Sequence, residues 1–86
     1  STSWRLWITG RDDRQRDPVV LASYDASAGR FVKATGVVVP PGTSLVDQAY
    51  LAEMDRFQNG CDTNLPLARP PAWATPHGGR LLLSLW

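Results

Sequence analysis

The sequence holds a single cysteine and a single histidine, and a nucleophilic dyad is the first chemistry they suggest. Cys61 follows the stop of a predicted helix, and His77 sits in the proline-rich segment beyond it. Thiol catalysis needs the imidazole to take the thiol proton and a third group to orient the ring. The local sequence works against this, because Cys61 lies past the negative end of the helix and next to Asp62, and both disfavour a thiolate. Cys61 is therefore read as a small, partly buried apolar residue and His77 as a loop residue. One Cys and one His would also need two carboxylates to complete a zinc site, and their spacing shows no ligand pattern.

Carboxylates are the next candidates. Asp12 and Asp13 are hemmed in by arginines in a polar run, which favours the ionised form and suits neither for acid catalysis. Glu53 falls on the apolar face of the predicted helix, where a carboxylate is normally paired, and Arg56 and Arg69 are its candidate partners. At the helix entrance, Pro40-Pro41-Gly42-Thr43-Ser44 offers backbone N–H groups and hydroxyls to an anion. It lacks the spacing of a nucleotide-binding loop, so plain capping explains it better. No catalytic residue, metal or cofactor is expected, and the chain reads as non-enzymatic.

Binding chemistry is better represented. Four tryptophans occur in 86 residues. Trp7 and Trp86 fall on the strand faces opposite Trp4-Leu6-Ile8 and Leu81-Leu83-Leu85, and Arg5, Leu82 and Ser84 share those faces with them. If the helix covers the leucine face, then Arg5, Trp7, Leu82 and Trp86 form an amphipathic patch of the residue types enriched at protein interfaces. Two arrangements would instead seal it. The helix can cover the tryptophan face, or the proline-rich strap can fold back over that face and bring Trp73 to it. The candidate binding residues are thus Arg5, Trp7, Leu82, Trp86 and Trp73.

Arginine far outnumbers lysine, and a sheet bearing Arg and Trp can stack single-stranded bases. Against this, Asp12, Asp13 and Asp17 balance Arg11, Arg14 and Arg16 one for one, and no aromatic RNA-binding signature appears in either central strand.

Several short elements must position these groups. Residues 4–9 alternate at the two-residue period of a strand. After the polar run 10–18, Val19 to Tyr24 and Arg30 to Thr35 flank the turn-forming Asp25-Ala26-Ser27-Ala28-Gly29, which predicts a hairpin. Gly36 predicts a bulge or turn before another short strand over Val37-Val38-Val39. One helix is expected from an N-cap at Ser44 to a stop at Asn59-Gly60, with Val46, Ala49, Tyr50, Met54 and Phe57 on its apolar face and Leu51 pointing elsewhere. Residues 61–79, rich in proline, read as a long irregular connection before a last strand over 80–86. The fold class is α+β: a small antiparallel sheet of about four strands, one helix packed on a face, and a long proline-rich loop before the C-terminal strand.

The whole-chain numbers fit that outline. Residues 1–86 suffice for one domain, which at this size buries roughly 60% of its unfolded surface. Nine basic against eight acidic side chains give a formal charge of +1, too small a field to draw in nucleic acid or an anionic membrane. The longest uncharged run is broken by Gly36, Pro40, Pro41 and Gly42, so no membrane span is expected. A lone cysteine allows no internal disulfide and, with no leader-like start, suggests the cytoplasm.

The expected function is a small accessory or interaction domain that binds another protein, a second copy of itself included. The alternatives are a small-molecule or peptide pocket lined by tryptophans between sheet, helix and strap, and single-stranded nucleic-acid binding.

Overall fold

The strand-forming segments assemble as their two-residue period requires. The computed structural model describes residues 3–9, 18–59, 64–66 and 69–86, with 57–59 and 64–66 described by their backbone. In chain order the elements are β1 (Trp4–Ile8), β2 (Val19–Asp25), β3 (Arg30–Lys33), α1 (Gln48–Asn59), β4 (Asn64–Pro66), a 3₁₀ turn (Thr75–His77) and β5 (Leu81–Leu85). They form one antiparallel sheet in the order β3-β2-β1-β5-β4. The predicted α+β class is present: among the described residues, a small antiparallel sheet with one α-helix.

The β2–β3 hairpin forms where the turn residues placed it. The Gly29 N–H donates to the Asp25 carbonyl at 2.8 Å, and Asp25 Oδ1 accepts the Ser27 N–H at 3.0 Å. Gly29 closes the turn at φ 67°, a left-handed conformation that glycine adopts without steric cost.

The two outermost strands in sequence meet at the centre of the sheet. β1 pairs with β5 in the register Trp4↔Leu85, Leu6↔Leu83 and Ile8↔Leu81. Ser3 and Trp86 extend the ladder by exchanging two backbone bonds of 2.7 and 3.0 Å. At its other end the Thr9 N–H donates to Arg80, the Gly79 N–H donates to Thr9, and the Arg80 N–H donates to Thr9 Oγ1. Gly78 approaches so closely that a Cβ there would run into the carbonyl oxygen of Thr9.

One face of the sheet carries the main core. Leu6, Ile8, Leu21, Ala22, Leu81 and Leu83 are buried there with Trp4. A register shift between Leu6 and Trp7 pairs Leu6 with Ala22 but Trp7 with Val20, leaving Leu21 as the extra residue of a bulge. Met54 of α1 joins this cluster, with Tyr50 and Leu51 packed against it. Each such leucine or methionine contributes about 1.5–3 kcal/mol by leaving water.

The structure corrects four local expectations. The helix begins at Gln48, and its cap is Asp47, whose Oδ1 accepts the Ala49 N–H at 3.2 Å. Ser44 instead turns its hydroxyl onto the Val46 carbonyl at 2.8 Å. The face turned to the core is that of Tyr50, Leu51 and Met54, so Leu51 packs against the core and Ala49 is exposed. The Phe57 side chain lies outside the described residues. Val37 to Val39 form no strand, because Gly36 turns the chain; Val37 is buried in the core and Val39 packs against it, while Val38 stands exposed.

Residues 61–79 are not wholly irregular either: β4 pairs with β5 at Leu65↔Leu83, and a 3₁₀ turn follows. Pro66 is tolerated because β4 is an edge strand.

Candidate protein-interaction face

Strand alternation sends every second residue to the face opposite the main core. The helix packs on the leucine side, so Arg5, Trp7, Leu82, Ser84 and Trp86 occupy the helix-free side. The register aligns one row of side chains across four strands there, Val32–Ser23–Arg5–Ser84, and a second row runs Val20–Trp7–Leu82.

Four of the five sequence candidates come together on this face. The Trp7 Nε1–H donates to Ser84 Oγ at 2.6 Å. The Trp7 ring meets Trp86 edge to face, with centroids 6.0 Å apart and planes at 60°. Arg5 places its guanidinium carbon 5.0 Å from the centroid of the Trp86 ring. Leu82 pairs with Trp7 across the ladder. An edge-to-face pair adds about 0.5–1.5 kcal/mol beyond burial, and an exposed cation–π contact about 0.5–1 kcal/mol.

Burial divides the group. Trp7 is 8% exposed, Leu82 9% and Ser84 1%, whereas Trp86 is 38% exposed and Val32 45%. Trp7 and Leu82 are therefore backing, and Trp86, Arg5 and Val32 are the accessible part. The two tryptophans are neither exposed together nor sealed together.

Trp73 does not join them. It packs against the main core on the helix side, beside the fully buried Ala74. Its Nε1–H is buried with no hydrogen-bond partner among the described residues.

The catalytic candidates do not assemble among the described residues. Glu53, half-buried, pairs with the exposed Arg56 at 3.3 Å, one helical turn along. His77 ends the 3₁₀ turn and is half-buried. Cys61, Asp12 and Asp13 lie outside the described residues, as do the loop arginines Arg11, Arg14 and Arg16. Among the described residues no group of three His, Cys, Asp or Glu side chains could hold a metal ion, and no helix is long and apolar enough to cross a membrane.

Sequence reasoning missed a second feature. An open cleft of about 420 Å³ lies between the β2–β3 hairpin and the start of α1, with Tyr24, Phe31 and Leu51 on its apolar side and Arg30 at the hairpin. Tyr24 and Phe31 meet edge to face with centroids 5.3 Å apart. No tryptophan lines this cleft, so it is not the tryptophan-lined pocket expected under the strap. The hairpin that pairs Tyr24 with Phe31 is legible in the sequence, but the packing of the helix start beside it is not.

Comparison of the chain with protein-family models, curated proteins and solved structures finds no match.

Proposed function

We propose that this chain is a non-enzymatic binding module that recognises another protein, a second copy of itself included, through the helix-free face. The observation that carries this reading is Trp86. It is 38% exposed yet in contact with both the Trp7 ring and the Arg5 guanidinium. A large aromatic fixed before binding loses little side-chain entropy on association, and Trp and Arg are the residues most often responsible for interface affinity. Val32, exposed on the same row as Arg5, widens the apolar surface. The lone cysteine favours a reducing compartment, and the cytoplasm is the proposed site of action.

A photo-crosslinking residue at Val32, with a control at the exposed helix position Ala52, tests this in the native cell. The expected result is a discrete adduct from position 32 that Trp86→Ala removes, or a dimer in sedimentation velocity that the same change dissociates. A monomer that gives no position-specific adduct would overturn the proposal.

A further inference from the structure

Charge is unevenly balanced on the helix-free face. Among the described strand residues, alternation places Arg5, Arg30 and a single side-chain acid, Asp25, on this side of the sheet. Asp25 is already engaged: it stands directly opposite Arg30 in the ladder, and its Oδ1 accepts the Ser27 and Ala28 N–H groups at 3.0 and 3.4 Å. Arg5 has no such counterpart. Its direct neighbours across both ladders are the neutral Ser23 and Ser84.

The Arg5 guanidinium lies over the Trp86 ring, Cζ 5.0 Å from its centroid, and forms no hydrogen bond or ion pair with a described residue. A cation over a ring is held by the ring quadrupole and uses none of its N–H donors. Arg5 is half-buried, so part of its hydration is already lost, and a carboxylate would return those hydrogen bonds through the paired N–H groups of the guanidinium. Apolar surface flanks it on two sides. Trp86 is 38% exposed, and Val32, 45% exposed, stands two strands away in the Arg5 row, about 10 Å by strand spacing. A second copy matches this poorly. An isologous contact sets one patch against itself, which would bring the arginines of both copies together with only Asp25 to offset them.

We propose that this face takes a segment of a different protein in which an Asp or Glu is flanked by apolar residues, the carboxylate on Arg5 and the apolar groups against Trp86 and Val32. The proposal rests on the protein-recognition reading above and adds the partner's chemistry to it.

The test is affinity selection of a random peptide display library on the immobilised full chain, in parallel with Arg5→Gln and Trp86→Ala. Peptides selected by the wild type should be enriched in Asp or Glu beside apolar residues; Arg5→Gln should lose the acid enrichment, and Trp86→Ala should lose the peptides. Replacing the acid of a selected peptide by its amide should weaken binding to the wild type about tenfold, the order of one charge-assisted pair. In the wild type, the Arg5 Nε–H signal should shift with the acidic peptide and not with its amide, a readout that needs no variant to fold. Selection without acid enrichment, enrichment that persists in Arg5→Gln, or an unmoved Arg5 signal would overturn the acidic partner and leave recognition through Trp86 standing. A dimer in sedimentation velocity that Trp86→Ala dissociates would do the same, with a second copy as the occupant. Failure of the wild type to select any peptide would also overturn the proposal, and the broader reading falls with it only if position 32 gives no adduct either.

Discussion

Trp7 and Ser84 are joined by a buried hydrogen bond, the indole N–H donating to the serine hydroxyl at 2.6 Å. The two residues are not direct ladder partners: Trp7 pairs with Leu82 and Arg5 with Ser84, so the bond runs diagonally between β1 and β5. It fixes the direction in which the Trp7 ring leans, toward Trp86. A contact between strands from opposite ends of the chain thus sets the geometry of the accessible aromatic.

Ser84→Ala should cost about 1–3 kcal/mol, because it leaves a buried indole N–H without its acceptor. Urea denaturation measures this directly. Trp7→Phe should then cost less in the Ser84→Ala background than in the wild type, since the N–H it removes has already lost its partner. Equal costs in both backgrounds would show that the bond contributes nothing to stability.

Gly78→Ala tests the closure of the β1–β5 ladder beyond its last paired residues. The added methyl meets the Thr9 carbonyl oxygen, which also accepts the Gly79 N–H at 3.0 Å. Backbone has to move, so the expected loss is about 1–3 kcal/mol or more, with faster amide exchange at Gly79. Gly36→Ala is the informative comparison. Nothing crowds that position, and its positive φ of 88° alone predicts about 1–2 kcal/mol. A smaller loss at Gly78 than at Gly36 would contradict the close approach.

Much of this architecture was legible because strands announce themselves by alternation. Trp4-Leu6-Ile8 and Leu81-Leu83-Leu85 are each one face, and Asp25 to Gly29 is a turn by composition. Alternation also placed Arg5 and Trp7 together, and Leu82 with Trp86. It could not say which face the helix would cover, since both faces are apolar. It could not place Trp73 either, because the strap has no period. β4 escaped notice for a related reason: three residues ending in proline carry no pattern, and only pairing with β5 makes them a strand. The helix start was misread because Ser44 and Asp47 are both good caps by residue type, and only the backbone decides between them.

Asp47→Ala and Ser44→Ala separate those two caps. Asp47 holds the Ala49 N–H with its side chain, and its carbonyl accepts the Tyr50 and Leu51 N–H groups at 3.0 and 3.2 Å. Losing the carboxylate should cost about 0.5–2 kcal/mol and reduce the helical circular dichroism signal at elevated temperature. Ser44→Ala removes a bond to the Val46 carbonyl outside the helix, so it should leave the helical signal unchanged. The opposite ranking would restore Ser44 as the cap.

The Arg5–Trp86 contact makes a last prediction that distinguishes a fixed aromatic from one that merely lies on the surface. Arg5 is half-buried as the second residue of β1, paired on both sides, so its guanidinium has limited freedom to leave the ring it covers. A double-mutant cycle with Arg5→Ala and Trp86→Ala should therefore give a coupling energy of about 0.5–1 kcal/mol in urea denaturation. Arg5→Lys should lose part of it, because an ammonium keeps the charge but not the plane that stacks on an indole. Trp86→Ala alone should leave a cooperatively folded protein, since the ring is 38% exposed and the backbone bonds to Ser3 do not depend on it. A coupling near zero would mean that Trp86 is free to reorient. The ordering entropy would then fall due at binding, and the advantage of a preset Trp and Arg pair would disappear.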